Sequence, residues 1–258
     1  MAWGMFCWIP CPYRNWREED RTAQVAMLPL VGACIGAICC LIWWPLSLTA
    51  ANPIMIGVLL TGIYFLLTGF IHLDGFMDVS DAVMPRHPQM EERIRILKDS
   101  HVGAFAVICL VFMALIFAGA WCSVGWQFSL AACSAFVMVF TLSRMASALM
   151  VMNCRPMGTS QYAGLAAGNE NGVENTIVIL MGLVITVIAM ILSRDNEYST
   201  WLFSGPLVIA VIAAVTVLSG LLVGTFDRQK LGGMNGDISG HVITTSEMCG
   251  MIAIGLLV

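Results

Sequence analysis

The sequence predicts an all-α, polytopic integral membrane bundle of about seven transmembrane helices, and three observations predict it. Apolar residues fill 59% of 258 positions and charged residues 11%, with a mean hydropathy of +0.86; soluble domains average about 45–50% apolar and 25% charged. The charges fall in a few clusters separated by apolar runs of about 18–25 residues, the length that spans hydrocarbon as a helix. The runs also lack the period-two alternation of a membrane barrel. A net charge of −4, unevenly placed, points to no nucleic-acid partner. Of the ten cysteines, Cys34, Cys39, Cys40, Cys109, Cys122, Cys133 and Cys249 lie in or beside apolar runs, where they act as small hydrophobes. Cys7-x-x-x-Cys11 and Cys39-Cys40 lack zinc-finger spacing, and no C-x-x-C occurs.

The whole chain, 1–258, reads as one membrane-embedded domain. Residues 1–23 carry Trp3, Phe6, Trp8, Pro10, Pro12, Tyr13 and Trp16 and lack the order of a secretory signal, so they are expected to form an interfacial segment. Spans are expected at about 24–44, 53–71, 102–122, 128–152, 176–192, 201–223 and 242–258. Gly32, Ala33 and Gly36 give the first span a small-residue face for close helix packing. The intervening stretches 73–100, 153–175 and 224–243 are expected to be loops that build the site, the middle one rich in Gly and Asn.

Basic residues choose the orientation. Seven spans place Arg14, Arg17, Arg21, Arg86, Arg93, Arg95, Lys98, Arg155, Arg228 and Lys230 on one side and only Arg194 on the other, so the first side is expected to be cytoplasmic. The three polar stretches then share that face.

One stretch carries the chemistry. In His72-Leu-Asp-Gly-Phe-Met-Asp-Val-Ser-Asp81, Asp74, Asp78 and Asp81 stand at i, i+4 and i+7, on one face of a helix. Like charges so spaced repel and raise one another's pKa unless a cation lies between them. Mg²⁺ takes oxygen ligands and keeps waters or substrate phosphates in its shell, which suits a face of Asp residues.

These residues bring a family into view. His72-Leu-Asp-Gly-x-x-Asp-x-x-Asp81, Lys98-Asp-Ser-x-x-Gly103 and Leu231-Gly-Gly-x-x-Gly-Asp237 resemble, in order, motifs of the cobalamin synthase family, the adenosylcobinamide-GDP ribazoletransferases. Pro29-Leu-Val-Gly32, Ser143-Arg144 and Glu247 match as well, so the resemblance covers nearly the whole chain. It implies a Mg²⁺-dependent transferase of the last steps of vitamin B12 assembly, in the bacterial inner membrane or the archaeal plasma membrane, with its site facing the cytoplasm. Its substrates would be adenosylcobinamide-GDP and α-ribazole or α-ribazole 5′-phosphate, and GMP would be released. A homo-oligomer, or a complex with other corrinoid-pathway enzymes, stays open.

By the same resemblance Asp74, Asp78 and Asp99 are expected at the metal, and Asp81 either there or as the base, with Asp237 the other catalytic carboxylate. His72, Lys98, Ser100, Arg144, Gly232, Gly233, Asn235, Gly236 and Glu247 are expected to bind substrate. For Arg144 a structural pairing with a nearby acid stands beside phosphate binding, because an intramembrane arginine is costly unless paired or facing a polar cavity. For His72 the alternative is to orient Asp74. His101 and His241 depart from the family pattern and are given no catalytic part, and the stretch after Arg155 lacks the charges common there in relatives. A membrane transporter with an acidic intramembrane site is the rival reading, but the chain shows no internal repeat.

Overall fold

The computed structural model describes residues 2–10, 20–86, 89–124, 128–158, 160, 171–194 and 204–258. Much of the expected interfacial segment (11–19) and of the Gly-rich stretch (159 and 161–170), with the start of the expected sixth span (201–203), lies outside the described residues.

A short helix α1 (Ala2–Phe6) precedes α2 (Arg21–Ala26) and α3 (Leu28–Ser47), which together make a 27-residue apolar path. Pro29 is tolerated in the first turn of α3, where its missing N–H would have no intrahelical acceptor. Helix α4 (Pro53–Leu67) opens on Asn52, whose Oδ1 accepts from the Ile54 N–H at 2.9 Å. The chain continues through α5 (Ile71–Val83), α6 (Met90–Leu97), α7 (Ala104–Ser123), α8 (Leu130–Asn153), α9 (Gly172–Leu192), α10 (Gly205–Leu231) and α11 (Gly236–Leu257). Among the described residues no strand forms, and one isolated bridge joins Pro156 to Met234.

Among the described residues six helical segments are long and apolar enough to cross a membrane, or up to seven if α4 and α5 count as one broken span. That pair corrects the expected straight span at 53–71. Gly69 (φ 61°) and Phe70 (φ 59°) are both left-handed, ending α4 after 15 residues and sending α5 off at 94°. Alone, α4 reaches only about 22 Å. The apolar run continues through Phe70-Ile71, and hydropathy carries no sign of the turn. We read α5 as lying outside the spanning segments, across one end of the bundle.

The stretches 73–100 and 224–243, expected as loops, are mostly helix: α5 agrees with the helical face expected for Asp74, Asp78 and Asp81, and the helical ends of 224–243 correct the expectation there. Helix α10 runs to Leu231, well past 223, and α11 begins at Gly236, ahead of 242. Hydropathy reports the depth of lipid, not the length of helix, and the polar ends are good helix ends. Arg228 and Lys230 sit in the last turn of α10, where they complement the dipole, and Asn235 caps α11.

The core forms around α8, of whose apolar window 83% is buried against 17% for α9 on the rim. Gly32 and Gly36 let α3 lie against the α8 backbone, where a Cβ on either would collide with Phe140 or Val137. Beyond them Trp121 stacks on Phe136 with ring centroids 3.6 Å apart, and both rings meet Trp43. Helix α5, the starts of α7 and α11 and the ends of α8 and α10 gather at one end. Asp81 reaches the start of α7, while Met157 N–H donates to Met234 O (2.9 Å) and Met234 N–H to Arg155 O (2.8 Å).

Candidate active site

Two glycines decide how closely α5 and α11 cross. A Cβ on Gly75 would lie 2.8 Å from Asp237 Cα and from its carbonyl oxygen, and one on Gly240 would lie 3.0 Å from His72 O. Any larger residue at Gly75 would push the helices apart. The contact sets Asp74 and Asp78 of α5 beside Asp237 in the first turn of α11.

The consequence is electrostatic. Partial burial, then Asp74, Asp237 and Asp81 in that order, push the carboxyl of half-buried Asp78 up to about 6 from the usual 3.8. Asn235 holds the third member: its Oδ1 accepts from Ile238 N–H (2.9 Å), capping α11, while its Nδ2 donates to Asp237 Oδ2 (2.7 Å). The α11 N-terminus adds partial positive charge beneath Asp237.

Among the described residues, no three His, Cys, Asp or Glu side chains come close enough to hold a metal ion by themselves. Mg²⁺ needs no such cage, since one or two carboxylates with phosphate and water can complete its octahedron. Asp74 and Asp78, a helical turn apart, have the donor chemistry for it.

The other expected residues are placed elsewhere. Asp81 turns to α7, its Oδ2 accepting from Gly103 N–H (2.6 Å) and its Oδ1 from Ala106 N–H (3.0 Å), so both oxygens cap that helix. Asp99 is exposed, and its Oδ1 accepts from His101 N–H (3.0 Å) and meets His101 Nδ1 (2.6 Å). The hydrogen bond to His101 holds Asp99 below the usual carboxylate range and raises His101. Lys98 and Ser100 flank Asp99 at the surface. Buried His72 stacks on Phe6 at 6.0 Å, and its carbonyl accepts from Thr244 Oγ1 (3.3 Å).

Gly232 (φ 84°) ends α10 in the left-handed conformation that glycine takes without steric cost. Gly233 passes too close to Pro156 for a side chain, and Gly236 opens α11. The three glycines therefore form the tight turn that delivers Asn235 and Asp237.

Arg144 and Glu247 are 0% and 1% exposed and meet each other, Nη1 to Oε1, at 2.6 Å. Arg144 Nη1 also donates to Phe140 O (2.9 Å), and Ser143 Oγ donates to Glu247 Oε1 (3.0 Å). Tyr64 donates to Glu247 Oε2 and accepts from Arg144 Nη2 (3.3 Å). The partner of Arg144 is thus a glutamate on another span, and the pair ties α4, α8 and α11 together.

Sequence reasoning passed over Tyr64, which nothing in its run distinguishes. It also passed over Asp227 and gave no part to His241, whose Nδ1 meets Asp227 Oδ2 at 2.6 Å. An acid inside a membrane helix is a signal in itself, but ending the sixth span at 223 left Asp227 in a supposed loop.

Residues 1–255 match the family model described as cobalamin-5-phosphate synthase. An adenosylcobinamide-GDP ribazoletransferase of Clostridium perfringens is 31% identical over 260 residues, covering 100% of this chain and 96% of the relative. One from Lachnoclostridium phytofermentans is 30% identical over 98% of this chain and 91% of its own, and one from Brevibacillus brevis 27% identical over 95% and 92%. No solved structure matches. A multi-pass bundle with these three motifs at one end, matched over almost its full length, belongs to the cobalamin-5-phosphate synthase family.

Proposed function

We propose that this protein joins α-ribazole, or its 5′-phosphate, to adenosylcobinamide-GDP with release of GMP, at a Mg²⁺ site on Asp74 and Asp78 facing the cytoplasm. The observation that carries this reading is the crossing at Gly75, which gathers three carboxylates with no salt-bridge partner among the described residues, at the end where all three family motifs meet. Family membership and relatives of that name support the reaction. The transporter reading has no such support.

In this account a ribose hydroxyl oxygen bonds to the corrinoid-side phosphorus of the pyrophosphate. The bond from that phosphorus to the bridging oxygen breaks, and GMP leaves with the electron pair. Asp74 and Asp78 would hold Mg²⁺, which when bound would neutralise charge on the pyrophosphate oxygens. Asp237, oriented by Asn235 and not committed to a cation, takes the hydroxyl proton. Asp81 is reassigned from base or ligand to positioning: by capping α7 it fixes the start of that helix, and with it the Lys98–Gly103 turn, against α5. Lys98, exposed beside this face, meets phosphate. Arg144 and Glu247 act through the packing of α11 on α4 and α8, since neither is exposed to a substrate.

The cytoplasmic orientation rests on the basic residues at the site end, Arg86, Arg93, Arg95, Lys98, Arg155, Arg228 and Lys230. Purified protein given adenosylcobinamide-GDP, α-ribazole and Mg²⁺ should release GMP in equimolar amount with the joined product. GMP release that ignores ribazole would make the protein a hydrolase and defeat the reading. For orientation, a cysteine introduced at Gln89 should label from the cytoplasm and one at Arg194 from the opposite side; labelling of both from one side would overturn it.

A further inference from the structure

On the flank of α5 away from the carboxylates, a cleft of about 490 Å³ opens between α5, α7, α10 and α11. Its walls are almost wholly apolar, with Phe76, Phe112, Ile116, Val223 and Met248 among them. Phe112 is 64% exposed on the outer face of a membrane helix, so the cleft is open to lipid. Four polar side chains interrupt it: the hydroxyls of Ser80 and Thr245, and the ionisable pair Asp227 and His241. Asp227 is fully buried; its Oδ2 meets His241 Nδ1 at 2.6 Å, while Oδ1 is buried and has no hydrogen-bond partner among the described residues. His241 is held flat by Phe76, their rings 5.3 Å apart. A carboxylate oxygen left unpaired in an apolar wall is costly, and a donor arriving from the cleft would remove that cost.

Depth identifies the donor's carrier. Asp227 lies four residues before the end of α10 and His241 five after the start of α11, so the polar pair sits about 6–8 Å inside the helix ends. Ile116 and Met248 lie twelve residues along α7 and α11, about 18 Å in from the same end. The cleft is therefore polar at interfacial depth and apolar toward the bilayer centre, the profile of an amphiphile standing in its own leaflet. At its mouth Lys230 Nζ lies 5.5 Å above the ring of Phe226, which also lines the cleft, so a cation stands outward of the carboxylate. Cation at the mouth and anion within complement a headgroup carrying both phosphate and ammonium.

We propose that this cleft is a binding site for a phospholipid with a primary ammonium headgroup, of the phosphatidylethanolamine class. One acyl chain lies between Phe112 and Met248, a small turn of the buried Asp227 side chain toward the cleft lets Oδ1 accept from the ammonium, and the phosphate faces Lys230. A charged acceptor favours an ammonium over a hydroxyl, because charge-assisted hydrogen bonds are the stronger. The occupant braces α5 from the side opposite Asp74 and Asp78.

The test uses full-length protein in lipid nanodiscs, with the retained lipid counted by native mass spectrometry after transfer to detergent. Nanodiscs contain equal mole fractions of phosphatidylethanolamine and phosphatidylcholine with matched chains. The two lipids carry the same charges, but choline has no N–H, so the ethanolamine lipid should be retained about tenfold over choline, the scale of one charge-assisted hydrogen bond. Asp227→Asn should abolish that preference, and Val223→Trp, which fills the open cleft, should reduce retention of both. Equal retention of the two lipids by the unmodified protein overturns the proposal without needing any variant to fold. A preference that survives Asp227→Asn in folded protein overturns it as well.

Discussion

Two groups of ionisable side chains in this bundle are solved in opposite ways. At Arg144 and Glu247 opposite charges are wholly buried, and Tyr64, Ser143 and the Phe140 carbonyl take up neighbouring hydrogen-bonding positions. At Asp74, Asp78 and Asp237 like charges gather at the end of the bundle, partly open to solvent, and among the described residues only the Asn235 side chain donates a hydrogen bond to their carboxylates. A pair of opposite sign fixes helices; only Arg144 Nε is left buried without a hydrogen bond among the described residues, and neither side chain is exposed to a ligand. A set of carboxylates held together by backbone packing, without a counter-charge, is completed by something that binds. The comparison teaches that charge inside a membrane protein signals function when it is left unbalanced, and architecture when it is closed.

The largest expected effect breaks the open group. Asp78→Asn keeps size and removes charge, and turnover should fall by on the order of 10²-fold or more, since metal stabilisation of transition-state charge is worth several kcal/mol. Thermal stability should hold or rise, because a repelled carboxylate is removed. Activity near native in that variant would erase the distinction between the groups.

The closed group should respond in the reverse sense. Glu247→Gln leaves Arg144 buried without its counter-charge and should cost about 3–5 kcal/mol of stability, while Arg144→Met combined with Glu247→Leu should recover most of it. Thermal midpoints in detergent check this. If Glu247→Gln lowered kcat at unchanged stability, the pair would belong to the site and not to the scaffold.

A titration sharpens the difference. Asp78 has its folded pKa raised to about 6 from 3.8, so the folded protein holds that proton more tightly than the unfolded chain. Without cation, its contribution to stability is greatest below about pH 4 and declines as pH rises through about 6. Mg²⁺ should cancel the decline, and the Mg²⁺ concentration for half-maximal rate should climb as pH falls below 6. Denaturation midpoints across pH 4–8, with and without Mg²⁺, should diverge only above the lower end of that window; parallel curves would remove the linkage.

The smallest effects belong to the residues that hold others in place. Asn235→Ala should cost about 1 kcal/mol of helix capping and lower kcat more than it changes KM, because Asp237 loses its orienting donor. Asp81→Asn should lose part of the α7 cap and leave the Mg²⁺ dependence unchanged. If excess Mg²⁺ restored the Asp81→Asn enzyme, Asp81 would return to the metal.

Much of this was legible in the chain. The spacing of Asp74, Asp78 and Asp81 and the apolar runs required no structure, because helical period and lipid thickness act directly on sequence. The bend at Gly69-Phe70 was hidden, since the apolar run masks a change of φ. The continuation of α10 through Asp227 was hidden because polarity was taken for the end of a helix. Asp81 shows the limit of spacing arguments most clearly: it shares a stripe with Asp74 and Asp78, yet the N-terminus of α7, more than twenty residues on in sequence, claims both its oxygens. Tyr64 meets Arg144 across 80 residues of chain and Arg144 meets Glu247 across 103, and only packing brings them together.

The most direct test of the central claim is the rate of GMP release as Mg²⁺ is titrated from a chelated zero, for the native enzyme and for Asp78→Asn. The account predicts no native turnover in chelator, saturable recovery with Mg²⁺, and an Asp78→Asn rate that remains on the order of 10²-fold lower at saturating metal. Full native turnover in chelator, or a variant that matches the native rate once Mg²⁺ is added, would contradict it.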